Sequence, residues 1–213
     1  MLIVGLTGRL GTGKSSAGRA LAAHGAVVVD ADAVSHQVVA PGSPGERLVL
    51  DHFGPAVTTP DGQLDRRALA QLVFAAPDQR LALDALEAIT HPLIRQEVKR
   101  QIADAEAAGA QVVVVEVPLL DDARTAEYGL DVVVMVDTPA ELAVRRAVRR
   151  GMVEEDARAR MAAQPTDEAL RPLATRVLDN SGDPDQLNEQ VDTMWLWLQQ
   201  LSRSGPGDGP PAR

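Results

Sequence analysis

The stretch LIVGLTGRLGTGKSS, residues 2–16, decides the architecture. Residues 2–6 form a continuous apolar run, the pattern of a strand buried in a parallel sheet. Gly8-Arg9-Leu10-Gly11-Thr12-Gly13-Lys14-Ser15 then fits G-x-x-x-x-G-K-[ST]. Such a loop turns its backbone N–H groups inward around phosphate oxygens, which needs glycines able to take unusual dihedrals. The helix that follows presents its positive N-terminal end to the same anion. Lys14 would reach the β- and γ-phosphates, and the Ser15 hydroxyl would ligate Mg²⁺. The competing reading is a glycine-rich turn with an exposed lysine. Composition alone gives such a match roughly one chance in a thousand, and here it follows an apolar strand and opens an amphipathic helix. The loop signals a nucleoside triphosphate; it does not say which reaction.

Outward from the loop, helix and strand alternate. Residues 14–24 have helical spacing and stop at Gly25. Residues 27–29 form a second strand ending in Asp30, residues 112–117 a third and residues 132–136 a fourth. Residues 139–150 read as a helix with proline near its first turn, and residues 153–163 as another, opened by Glu154, Glu155 and Asp156. A short fifth strand at 177–179 and a closing helix at 184–201 follow. This alternation predicts an α/β fold with a parallel sheet covered on both faces. Residues 33–90 fit it poorly. They hold Pro41-Gly42-Ser43-Pro44-Gly45 and Pro60-Asp61-Gly62 between mostly helical segments, and so read as an inserted helical lobe. Residues 202–213, SRSGPGDGPPAR, lack apolar periodicity and are expected to be a disordered tail.

A chain of 213 residues has room for one packed core, or one core and a small inserted lobe. Aromatics at 2% argue against stacking platforms for single-stranded nucleic acid. A net charge of −9 removes the basic footprint that duplex DNA requires. The absence of cysteine excludes a disulfide framework, a thiolate zinc site and a cysteine nucleophile. No apolar run approaches a membrane span and the N-terminus has no basic n-region, so a cytoplasmic protein without membrane partners is expected. Oligomeric state is not legible.

Three features narrow the chemistry. Asp30-Ala31-Asp32 lies just past the second strand, where open parallel sheets bind ligands. A carboxylate there can take a proton from an acceptor hydroxyl or help organise Mg²⁺; one of the two can equally be a turn or helix-capping residue. Arg145, Arg146, Arg149 and Arg150 share one broad helical face, which suits a lid over transferring phosphates. The alternative is a solvated face paired to Glu141, Glu154 and Glu155. His91-Pro92-Leu93-Ile94-Arg95 reads as the start of the helix before the third strand, with Pro92 in its first turn, His91 as cap or contact and Arg95 as an anion contact.

Taken in order, VGLTGRLGTGKSS (4–16), VVDADAV (28–34), PGSPG (41–45), DGQLDRRALAQLVF (61–74), HPLIR (91–95), VPLL (117–120), ELAVRRAVRRG (141–151), RARMAAQ (158–164) and LDNSGD (178–183) resemble the dephospho-coenzyme A kinase family. The resemblance covers nearly all of residues 2–200. It implies a P-loop NTPase three-layer fold with a five-stranded parallel sheet, a helical acceptor-binding lobe and a helical lid. Mapped onto this chain, the core is about 1–32, 91–138 and 174–201, the acceptor lobe about 33–90 and the lid about 139–173. It also implies transfer of the γ-phosphoryl of ATP to the 3′-hydroxyl of dephospho-coenzyme A, with Mg²⁺. Asp32 matches the family's base, Asp30 remaining the other candidate. Lys14, Arg146 and Arg150 match catalytic cations. Gly8, Gly11, Thr12, Gly13, Lys14, Ser15 and Ser16 match the phosphate cradle, with Ser15 the metal ligand, and Asn180 a position near the adenine of ATP. Asp32, His91, Arg95 and Leu119 match acceptor contacts.

Four departures stand out. Arg9 replaces a loop glycine and either faces solvent or bears on lid closure. His36 stands where an arginine is frequent after DAD. Asp121-Asp122 follow VPLL in place of Phe-Glu, which puts that pair's role in acceptor positioning in doubt. Arg150 abuts Gly151 directly. The rivals are a regulatory GTPase, a binding module that kept its loop but lost the lid, and another small-molecule or nucleotide kinase of the same fold. Asp51-His52-Phe53-Gly54 superficially fits a GTPase switch. The chain's two lysines, Lys14 and Lys99, leave none placed for a guanine-reading N/T-K-x-D.

Overall fold

A computed structural model describes residues 1–75, 79–118 and 120–204. The chain runs β1 (Leu2–Thr7), α1 (Lys14–Ala23), β2 (Val27–Asp30), α2 (Ala31–Val38), α3 (Pro44–Phe53), α4 (Arg66–Ala75), α5 (Gln79–Ala107), β3 (Val112–Glu116), α6 (Asp122–Tyr128), β4 (Val132–Asp137), α7 (Ala140–Arg149), α8 (Glu154–Ala162), α9 (Asp167–Leu170), β5 (Arg176–Asp179) and α10 (Pro184–Ser204). Two short 3₁₀ turns, Gly54–Val57 and Arg171–Leu173, join neighbouring helices.

The five strands form one parallel sheet in the order β2-β3-β1-β4-β5. The pairing follows from composition. β3 and β4 are almost all valine, a branched side chain that suits a pleated surface packed on both faces, and both are buried nearly throughout. Because β1 is central, the loop after it leaves the middle of the sheet's carboxyl edge. That is where a doubly wound sheet opens a crevice for ligands.

Leu187, Val191, Met194, Trp195, Leu198 and Leu201 of α10 recur at helical spacing and join Leu2, Val4, Leu6 and Leu21 in the main core. Asp183 accepts from the Gln186 amide at 3.0 Å and Pro184 occupies the first turn, so the start of α10 is encoded locally. The helix continues through Ser204, three residues past the expected stop at 201, so Ser202, Arg203 and Ser204 belong to it rather than to a tail. The rest of the expected tail lies outside the described residues. As its spacing suggests, Trp195 packs inward, its ring 5.8 Å from that of His24. Trp197 stays half-buried beneath the Arg176 guanidinium, 5.0 Å away.

The chain divides into two compact units, Met1–Asp30 with everything from Gln101 onward, and Ala31–Arg100. The second is helical and has its own core of Val49, Val57, Leu64, Leu69 and Val73, with Leu83, Leu86 and Ile89 packed against it. Glu46, buried at the start of α3, ties this unit's loops together. Its carboxylate accepts from the amides of Leu64 at 3.0 Å and Gly42 at 2.5 Å. Those two donors hold its pKa below the usual carboxylate range, outweighing the opposing effect of burial.

One expectation fails here. Pro92 does not open a helix, and His91 does not cap one: both lie inside α5, a single helix of 29 residues. Proline cannot donate to the carbonyl of Ala88 and crowds that turn. The helix persists because Leu83, Leu86 and Ile89 before it and Val98, Ile102 and Ala105 after it are packed into cores. Tertiary burial outweighs one lost backbone bond.

Candidate active site

The loop between β1 and α1 is held open by conformation and from behind by side chains. Gly11 and Gly13 have φ of 74° and 97°, which L-residues resist. A Cβ on Gly11 would lie 2.2 Å from the Ala143 carbonyl oxygen, and one on Gly13 2.1 Å from Asn180 Nδ2. Thr12 is buried, and its carbonyl accepts from Asn180 Nδ2 at 2.7 Å. The Thr138 hydroxyl lies 3.1 Å from the carbonyls of both Thr12 and Asn180. Arg146 Nη1 donates to the Asn180 carbonyl at 2.8 Å. Asn180 and Arg146 thus both lie at the loop, and one N–H of the Asn180 amide braces the loop's backbone from behind. Ser16 lies in the first turn of α1, its amide donating to the Gly13 carbonyl at 2.8 Å and its hydroxyl accepting from Arg19 at 3.2 Å.

Lys14 and Ser15 begin α1. The Ser15 hydroxyl donates to Glu116 Oε2 at 3.3 Å. Glu116 ends β3, is 5% exposed, and pairs in register with Asp30 at the end of β2. Burial raises its pKa, Lys14 pulls it down and Asp30 pushes it up again, with a net upward shift. Gly18, one turn into α1, makes room: a Cβ there would sit 2.1 Å from Glu116 Oε1. In P-loop enzymes a carboxylate ending a neighbouring strand joins the loop hydroxyl in organising the metal. Sequence reasoning missed Glu116. The available signal was an acid closing a run of four valines beside the loop's own strand.

The segment expected to be the lid is tied to the loop by a residue that departs from the resemblance. Arg9 does not face solvent. Its side chain is 13% exposed, Nη2 donates to the Met161 carbonyl at 2.7 Å at the end of α8, and Nη1 pairs with Asp167 at 3.5 Å. The Leu10 amide donates to Gln164 Oε1 at 2.8 Å, and the Leu10 side chain packs against the α7–α8 core of Ala143, Val144, Ala147, Ala157 and Met161. Burial raises the Asp167 pKa and Arg9 lowers it. Of the arginine cluster, Arg146 is anchored as described, and burial together with Arg149 and Arg150 disfavours its charge. Arg145, Arg149 and Arg150 are exposed. Glu141 and Glu154 converge on Arg158, at 2.7 Å and 2.9 Å, and after Arg158 the charge of Arg145 also favours the Glu141 carboxylate. Gly151, with φ of 97°, turns the chain directly after Arg150. At the Asp121-Asp122 departure, Asp121 caps α6, accepting from the Arg124 amide at 2.7 Å and pairing with its guanidinium at 3.0 Å.

In the helical unit Asp32 is an exposed residue of the first turn of α2, and its carbonyl accepts from the Ser35 hydroxyl at 2.7 Å. His91 and Arg95 are exposed and one turn apart on α5. His36 meets Arg66, whose Nη1 lies 3.0 Å from Nδ1 and whose Nη2 donates to the carbonyls of His36 and Val39 at 3.1 Å. Arg66 therefore caps the end of α2 with positive charge. Leu119 lies outside the described residues; Leu120 beside it is buried.

A parallel sheet of this order, with a glycine loop after its central strand and a serine–carboxylate pair behind it, defines a P-loop kinase. The family model for dephospho-CoA kinase matches residues 2–186. A dephospho-CoA kinase of Streptomyces avermitilis is 48% identical over 213 residues, covering 98% of each chain. The chain belongs to the dephospho-CoA kinase family. A crystal structure from Thermus thermophilus superposes with a TM-score of 0.77 at 35% identity, covering 92% of this chain and 96% of that one. A dephospho-CoA kinase of Campylobacter jejuni, at 22% identity, 92% and 96% coverage and a TM-score of 0.64, shares the fold. Among the described residues no helix is long and apolar enough to cross a membrane.

Proposed function

We propose that this chain transfers the γ-phosphoryl group of ATP to the 3′-hydroxyl of dephospho-coenzyme A, giving coenzyme A and ADP. The observation that carries the reading is the braced loop with Ser15 bonded to Glu116, in a chain matched by the family from residue 2 to 186.

The triphosphate would lie on the backbone amides of residues 8–15, with the start of α1 and Lys14 opposing its charge. The oxygen-only set of Ser15, Glu116 and Asp30 fits Mg²⁺, which binds through few carboxylates and keeps waters and phosphate oxygens. When bound it would neutralise charge between the β- and γ-phosphates. Glu116 and Asp30, as anions, would hold Lys14 and Ser15 in place until substrate arrives. Asp32 would accept the proton of the 3′-hydroxyl as that oxygen attacks phosphorus in line, and the bond to the β–γ bridging oxygen breaks. Exposed Arg150, with Arg146 braced beneath it, would meet charge spreading over the equatorial oxygens. His91 and Arg95 would contact the acceptor, and dependence on ATP fits a cytoplasmic protein.

A coupled assay of ADP release tests this. Dephospho-coenzyme A should support turnover that adenosine and common nucleotides do not. Equal turnover with a nucleotide would assign a different kinase of the same fold.

A further inference from the structure

We infer that Thr138 is a positioning residue for the triphosphate; the inference rests on the triphosphate lying along residues 8–15, as proposed above. Thr138 directly follows β4 and is 2% exposed. It lies outside every sequence block that resembles the family. Three backbone carbonyls converge on its hydroxyl oxygen: Asp137 at 2.7 Å, and Thr12 and Asn180 each at 3.1 Å. Arg146 Nη1 lies 3.4 Å from the same oxygen.

A hydroxyl has one proton to give. Each of these carbonyls also accepts from another donor: Asp137 from the Asn180 amide at 2.9 Å, Asn180 from Arg146 Nη1 at 2.8 Å, and Thr12 from Asn180 Nδ2 at 2.7 Å. The Thr138 proton is therefore not what satisfies any one of them. It sits where three carbonyl dipoles bring their negative ends together, and it holds them there. In a buried site their repulsion is poorly screened. Without that proton the Thr12 carbonyl would turn away from its neighbours.

That carbonyl matters because of the peptide it belongs to. A trans peptide points its C=O and its N–H in opposite directions. The Thr12 carbonyl faces Thr138 and Asn180 behind the loop, so the Gly13 N–H faces the other side, where the phosphates would lie. The turn is fixed independently on either side of this peptide. The Thr12 amide and hydroxyl both donate to the Arg9 carbonyl, at 3.3 Å and 2.9 Å. The Gly13 carbonyl accepts from the amides of Ser16 and Ala17, at 2.8 Å and 3.1 Å. The Thr12–Gly13 peptide is the link between these two parts, and Gly13 has no Cβ to resist its rotation. Thr138 thus sets the direction of one phosphate-binding N–H without itself touching a phosphate.

Thr138→Val keeps the shape and removes the proton. A non-hydrolysable ATP analogue and inorganic tripolyphosphate, each with Mg²⁺ and without acceptor, would be titrated into the variant and the wild type. Both ligands should bind the variant about tenfold more weakly. Thr138→Ser, which restores the hydroxyl, should bind both within about twofold of the wild type. Tripolyphosphate has neither base nor sugar, so equal losses locate the effect at the phosphate loop. A loss for the ATP analogue alone overturns the inference, because it moves the role of Thr138 to the base. A lower melting temperature with unchanged affinities overturns it as well, and so does a serine variant as weak as the valine. Should Thr138→Val fail to fold, Thr138→Cys takes its place, since a thiol is a poor donor, and the same outcomes decide. Wild-type protein that bound neither ligand would reject the triphosphate reading itself, and the inference with it. Failure to phosphorylate dephospho-coenzyme A is a separate result, because no acceptor enters these titrations.

Discussion

Glu116 shows how a side chain can cost the apoprotein stability while serving the site. It is buried, touches Ser15, and has its pKa raised by that burial against the pull of Lys14. A carboxyl whose folded pKa exceeds its unfolded value contributes stability that is complete below the ordinary carboxylate pKa and lost as pH rises through the raised one. At neutral pH its charge is thus a burden on the empty fold. Glu116→Gln should melt higher than the wild type at pH 7 without ligand, and the gap should close on acidification; thermal melts across pH check this. The same variant should lose about 10²–10³ in turnover, as when one oriented electrostatic contact is removed. Arg9→Ala removes a charged donor from the Met161 carbonyl and should cost about 1–3 kcal/mol in denaturant unfolding. An unaltered midpoint would mean that Arg9 does not hold the lid segment. Neither role was legible locally. Glu116 hides in an apolar run read as plain strand, and the partners of Arg9 lie about 150 positions away in sequence.

At the scale of elements, β1, β3 and β4 were legible because buried parallel strands are unbroken apolar runs, while β2 and β5 are shorter, partly exposed runs closed by an aspartate. The helices at 140–149 and 154–162 follow from spacing and first-turn acids in the same way. Pro92 misled because the local rule places proline in a first turn, whereas α5 is set by what Leu86, Ile89, Val98 and Ile102 bury on either side. Asp121 looked like a missing acceptor contact and is a helix cap, a role its position before α6 dictates. In the helical unit, Glu46 joins the start of α3 to the loops at Gly42 and Leu64. Its pKa is depressed, so its contribution is present above the ordinary glutamate pKa and lost as pH falls through the folded value. Glu46→Gln should therefore lower the melting temperature near pH 7 and have little effect at pH values where the carboxyl is protonated in both the folded and the unfolded chain. A pH-independent difference would mean that the effect comes from shape and not from charge.

Over the whole molecule, the proposed reaction draws the triphosphate half of its chemistry from the main unit and the acceptor half from the helical unit. The first half was legible in one continuous stretch, residues 2–16, because a phosphate loop is a local device. The second was not, because the helical unit is assembled from helices and loops apart in sequence, as where Glu46 meets the amides of Gly42 and Leu64, and no short pattern records such a meeting. The resemblance supplied Asp32; the spacing of DAD alone left Asp30 as its equal. In the structure the two part company. Asp30 ends β2 in register with Glu116, and Asp32 begins α2 as an exposed residue of the helical unit. The proposed reaction accordingly gives Asp30 to the metal and Asp32 to the acceptor proton. The most direct measurement is steady-state turnover of Asp32→Asn alongside its equilibrium affinity for ATP. ATP affinity should stay within about twofold while turnover falls by about 10²–10³. Turnover near that of the wild type would remove Asp32 from the reaction.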